Sequence, residues 1–216
     1  MEEKKYKLTE ESISFNGRTL YRIEALKDFA DVKKGDKGGF IETERNLSHD
    51  GHAWVSDNAK VFGNAEVSGN AKVTDNAIVY DSAMVYGDAN VYGHAEVFGH
   101  AKVYGYAQVY GHAEVFDHAS VSDNAWVYGH TYVFCNANIS GMAKVFGNAR
   151  VYCHSKVCGN AIVFGNANIS GNAWVSDNAR VFGNALVYGN ANVCGYAHID
   201  DNVMKKFVHT FKTLDN

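Results

Sequence analysis

The sequence predicts an all-β solenoid, a coil of short strands wound about one axis. Three observations predict it. First, a six-residue phrase, roughly Asn-Ala-x-Val-x-Gly, repeats without interruption between Ala53 and Ile199. Valine returns every sixth residue from Val55 to Val193, with Ile139, Ile169 and Ile199 in the same slot, giving 25 consecutive hexads. Alanine stands two residues before each of them, with Thr131 and Ser155 the only departures. Second, six residues turn through about 600° on an α-helix and would scatter the valines over several faces. On a strand the period is two, so every sixth residue lies on one side. Third, the composition favours strands and turns, and proline is absent, so every backbone N–H is free to join a ladder. No strand continues for so long, and the Gly/Asp–Asn/His pair in each hexad marks a turn. Short strand and turn therefore alternate, and the chain coils.

The elements follow in order. Residues 4–26 carry strand-like runs, KYKLT, SISF and TLYRIEAL, with Asn16-Gly17 between the last two. That dipeptide predicts a type I′ hairpin. Lys33 to Gly39 reads as a turn-rich connector. Gly38-Gly39 is read as a cap turn rather than a phosphate cradle, since no strand–helix unit surrounds it. Ile41 and Leu47 are six apart, but Leu47 to Val55 is eight, so they read as an out-of-phase pair that starts the rod. Open sheet edges at the two ends need covers. Residues 1–47 are expected to cap the first end, residues 48–202 to form the repeat body, and 203–216 to cap the last. Val203, Phe207, Val208, Phe211 and Leu214 have the spacing of a short helix there, with a final strand as the alternative.

Charge and cysteine content narrow the function classes. The net charge is −4, with no basic stripe, so nucleic acid is not an expected partner. No signal region or apolar span appears, which points to the cytoplasm and away from the membrane. The four cysteines, Cys135, Cys153, Cys158 and Cys194, show no CxxC spacing and read as reduced thiols.

The phrase V-x-G-N-A-x resembles the hexapeptide repeat of left-handed parallel β-helix proteins, over about 70% of the chain by the count of hexads. The segment GDKGGFIETERNLSHDGHAWV, residues 35–55, is similar to the cap of a bacterial and phage-encoded, acyltransferase-like subgroup. The resemblance implies left-handedness and a triangular coil of three hexads. At about 4.8 Å between stacked strands, 25 hexads then give about eight coils and a rod about 40 Å long. Each valine points inward, and so does each alanine, placed where two sheets meet.

Sorting residues by 18 turns the sequence into columns. The residue after the core aliphatic points outward, and two of its three columns are aromatic. One is Tyr92, Tyr110, Tyr128, Phe146, Phe164 and Phe182; the other is Phe62, Tyr80, Phe98, Phe116, Phe134 and Tyr152, followed by Ser170 and Tyr188. Stacked rings stabilise neighbouring coils. Two long apolar strips also mark an interface with a second subunit or another protein.

The turn slot before each alanine holds Asn or His, with His94, His112 and His130 in one column and His100, His118 and His154 in another. These read first as turn residues tolerant of positive φ. No carboxylate or cysteine interleaves them, so no metal site is expected. The resemblance supplies another role, a histidine general base in acyl transfer, for which His112 and His130 are the candidates. Cys135 and Cys153 share a column one coil apart, about 5 Å between Cα atoms and within disulfide range.

Related transferases interrupt their coils with a loop that helps enclose the acceptor, and no hexad is interrupted here. The leading expectation is a non-enzymatic rigid scaffold whose aromatic ladders mediate self-association, as a dimer or trimer, or partner binding. The first alternative is an acyltransferase using acyl-CoA, and the second is a surface that binds an extended glycan.

Overall fold

A computed structural model describes residues 4–200 and, for the backbone alone, 204–205. The described chain is a parallel β-solenoid of about nine turns, entered through an antiparallel hairpin. Strands β1 (Tyr6–Phe15) and β2 (Arg18–Ala25) meet at Asn16-Gly17, whose φ values of 48° and 73° are those of the expected type I′ turn. The runs KYKLT and SISF merge into the single strand β1, bulged between Leu8 and Ser12.

Strand β3 (Lys37–Ile41) pairs antiparallel with β2 on one edge and parallel with β5 (Lys60–Val61) on the other. The hairpin is thereby continuous with one face of the rod. The connector reading of Lys33–Gly39 is corrected here, because Gly38 and Gly39 lie within β3. Their role is close approach: a Cβ on Gly38 would come 2.5 Å from the carbonyl oxygen of Val55, and one on Gly39 2.6 Å from that of Ala59.

From β4 (Trp54–Val55), through β5 and β6 (Glu66–Val67), a two-residue strand recurs every six residues to His198–Ile199. Three faces result. The first carries Val61, Val79 and Val97, the second Val67, Val85 and Val103, and the third Val55, Val73 and Val91. Each strand pairs in parallel with the strand 18 residues on, as in Val91↔Val109 and Val97↔Val115. Ile41 pairs with Val61, and Leu47 bridges to Val67. The out-of-phase pair therefore does start the rod, and it raises the count from eight turns to about nine. The two extra residues after Leu47 are absorbed in the turn before Ala53.

The core is a column of valines and alanines from Val55 to Val193, each at most 1% exposed. Burial of each valine contributes about 1.5–3 kcal/mol. The two departures from alanine are buried hydroxyls that bond within their own turn, Thr131 to the carbonyl of Tyr128 at 2.7 Å and Ser155 to that of Tyr152 at 2.8 Å. At the entrance Lys5 Nζ donates to the carbonyl of Ala53 at 2.9 Å, and Tyr6 Oη to that of Leu47 at 2.7 Å. These bonds satisfy carbonyls at the open end. The cap expected over 203–216 lies outside the described residues, except that the backbone of Met204–Lys205 pairs in parallel with Leu186–Val187.

Candidate functional site

Alternation places two outward residues on every strand, one before and one after the core aliphatic. Function on so regular a rod must be written in those rows and in the turns. After the core aliphatic, the first face carries the ladder Phe62 to Tyr152, with ring centroids 4.8–5.2 Å apart and planes within 8° of parallel. The third face carries Tyr92 to Phe182 at 4.7–5.1 Å, within 11° of parallel. Each predicted column is thus one continuous stack. Phe62 is buried and the other ladder rings are half-buried, since each covers its neighbours and shows one edge to solvent. On the second face the equivalent column is small apart from Tyr86 and Tyr104, which stack at 4.9 Å.

The row before the core aliphatic ties the rings down. Tyr80 Oη donates to Glu96 at 3.4 Å, and Tyr92 Oη lies 3.2 Å from Gln108 Oε1. Burial, followed by the neighbouring Tyr92 and Tyr128 hydroxyls, pushes the Tyr110 phenol up to about 12. Burial and the adjacent Glu96 raise the Glu114 carboxyl above its ordinary value. Trp126 stands edge-on to Tyr110 at 6.5 Å under the Lys144 ammonium. Trp126 and Leu186 are each 37% exposed and widen the apolar area of the third and first faces. The sequence reading passed over both, although the same alternation that exposes the ladders exposes their row.

The turns hold a further surprise. The positive-φ slot is the residue before Asn or His, not Asn or His itself. Glycine fills it most often, and Asp57, Asp75, Asp81, Asp117, Asp123, Asp177, Cys135 and Cys153 fill the rest. The expectation that histidine was chosen for positive φ is therefore corrected. The aspartates have a compensation: Asp75 Oδ2 accepts the N–H of Gly93 at 2.9 Å, and Asp123 and Asp177 accept those of Gly141 and Gly195 at the same distance. Each such bond staples one turn to the next.

His94, His112 and His130 stack at 4.9 Å on the corner between the third and first faces, two residues after Tyr92, Tyr110 and Tyr128. Among the described residues the imidazoles of His112 and His130 have no side-chain hydrogen bond that would orient them as bases. No group of three His, Cys, Asp or Glu among the described residues is arranged to hold a metal. All four cysteines are free. No helix among the described residues is long and apolar enough to cross a membrane.

Comparison with known proteins agrees with this architecture. Residues 173–189 and 179–195 match the family described as YdcK Beta solenoid repeat. The chain is also similar to a protein of Escherichia coli (strain K12) described as "Uncharacterized acetyltransferase YdcK". They are 38% identical over 69 residues, covering 28% of this chain and 21% of that protein. The chain thus spans about a fifth of that relative's length. The parallel solenoid, the repeat match and this relative together fit a hexapeptide-repeat, acyltransferase-like family.

Proposed function

We propose that the protein is a rigid β-solenoid scaffold that works through its first and third faces, by self-association or by binding another protein. The observation that supports this is the continuity of the two ladders. Twelve rings occupy adjacent faces of a rod with no interrupted hexad, and Trp126 and Leu186 extend the apolar area. Contiguous apolar surface of this kind marks interaction sites, and aromatic residues supply large rigid contact area there. The test is solution mass by light scattering over a range of concentrations, for wild type and for Phe146→Lys and Tyr110→Lys. Both variants are expected to keep the wild-type circular dichroism and to dissociate, or to lose the bound partner. Variants that retain the wild-type mass and partner would remove the ladder from the interface.

A second reading is favoured by the printed description of the relative, an acetyltransferase. Acyl transfer from acyl-CoA would use His112 or His130 as general base, with a neighbouring subunit supplying the orienting group that neither imidazole has within the chain. It predicts that acetyl-coenzyme A raises the melting temperature. An unchanged melt at millimolar ligand rules it out.

A further inference from the structure

The first-face ladder has one missing rung. Rings fill the column continuously from Phe62 to Tyr152, a serine stands at 170, and a ring returns at Tyr188. The backbone does not change at the gap. The N–H of Ser170 bonds to the carbonyl of Val187 at 2.9 Å, just as that of Tyr152 bonds to Ile169 at 2.9 Å. Only the ring is absent, and a cavity of about 440 Å³ opens there, lined by Tyr152, Asn168, Ser170, Leu186 and Tyr188.

We propose that this gap is a ligand slot that takes a planar, amino-substituted heterocycle of purine size between the rings of Tyr152 and Tyr188. The spacing argues for a flat ring. Two strand separations put the bounding rings about 10 Å apart, so a ring set midway would lie about 5 Å from each. That is the spacing the ladder itself adopts, 5.0 Å between Phe134 and Tyr152. The ligand completes a stack whose two neighbours are already in place. The lining argues for a neutral ring, because no charged side chain belongs to it. It also argues for an amino substituent. Asn168 donates its Nδ2 to the carbonyl of Asn166 at 2.9 Å, which leaves Oδ1 to accept. The Ser170 hydroxyl can donate to a ring nitrogen. An acceptor beside a donor matches the edge of an aminopurine. Leu186 gives the slot an apolar flank. One chain contains the whole slot, but Tyr152 and Leu186 also belong to the face assigned to association, so a ligand and a partner would compete there.

The test is calorimetric titration of the full chain with adenosine, and with ribose as the ring-free control. Wild type is expected to bind adenosine and not ribose. Ser170→Phe supplies the missing rung from within and is expected to keep the fold and abolish binding. Tyr188→Ala removes one wall and is expected to weaken binding by about ten-fold. Ser170→Leu fills the same space without a ring and is expected to block binding too, so it serves if the phenylalanine variant misfolds. Wild type that ignores adenosine, or a filled variant that binds it as wild type does, overturns the proposal. A wild-type oligomer that dissociates in Ser170→Phe without adenosine binding also overturns it. The slot would then hold a ring from a second copy.

Discussion

If the ladders hold neighbouring turns together, removing a rung and restoring one should have opposite effects on stability. Phe116 stacks on Phe98 at 4.8 Å and on Phe134 at 5.0 Å, with planes within 2° of parallel. Each such pair is worth about 0.5–1.5 kcal/mol beyond area burial, so Phe116→Ser forfeits about 1–3 kcal/mol of stacking. The ring is half-buried, and the apolar area it covers adds about 1 kcal/mol. The expected loss is therefore about 2–4 kcal/mol. Ser170→Phe gains two stacks, with Tyr152 and Tyr188, less about 0.5–1 kcal/mol for ordering the new side chain. A net gain of up to about 2.5 kcal/mol is expected. Guanidinium denaturation followed by far-ultraviolet circular dichroism measures both, provided the transition stays cooperative along the array. A loss below about 0.5 kcal/mol for Phe116→Ser, or any destabilisation by Ser170→Phe, refutes the account of the ladders as inter-turn staples.

Other substitutions test the turns and the cap. Cys153 sits at φ 62°, and Cys153→Gly should stabilise the chain by about 1 kcal/mol in reducing buffer. An unchanged denaturation midpoint would show that the slot is not strained. Gly38→Ala drives a Cβ against the Val55 carbonyl and Ile23. It should cost about 1–3 kcal/mol by thermal melting, and a neutral result would mean β3 is free to shift. Lys5 is buried, and burial, opposed by the Asp50 carboxylate, lowers its ammonium from 10.5 to about 8. The unfolded chain then binds more protons between those values, so stability should climb as pH rises from about 8 towards 10.5. The difference between wild type and Lys5→Met at pH 8 and pH 10 isolates this group, and a difference independent of pH would refute it.

Much of this was legible in the residues because the repeat overdetermines it. Val55 to Ile199 never loses phase, so face, register and column follow from counting, and the ladders could be named ring by ring. Asn16-Gly17 announced its turn because few dipeptides accept two positive φ values. The misreadings share a cause: each concerned space or sharing between elements that are distant in the chain. Gly38-Gly39 looks like a turn locally, and only the approach of Val55 and Ala59 shows why side chains are excluded. The positive-φ slot is ambiguous in a Gly-Asn or Asp-His pair until the backbone shows that the first member bears it, and the Asp75 bond to Gly93, 18 residues on, shows what an aspartate there gains. Trp126 and Leu186 stand in a row that mixes charged and polar residues with other apolar ones such as Ile78, Met84, Ile162 and Trp174, and a mixed row hides its apolar members.

The same regularity explains where chemistry can reside. Inside, one slot is committed to valine or isoleucine and the other to alanine, with Thr131 and Ser155 its only replacements, because each packs against the same slot one turn away. The turns are nearly as constrained, by positive φ and by the backbone of the next turn. What remains free is the pair of outward rows on each face. On the second face those rows are mostly small or polar. On the first and third the row after the core aliphatic is mostly rings, and a half-buried ring in a stack is stable there without a partner. The ladder thus serves the fold and the surface at once, and the informative position is the one where it breaks. Ser170 forgoes two stacking contacts that every interior rung of its ladder keeps. In a repeat where substitution by phenylalanine or tyrosine is evidently tolerated eighteen residues before and after, that vacancy is the departure most in need of a function.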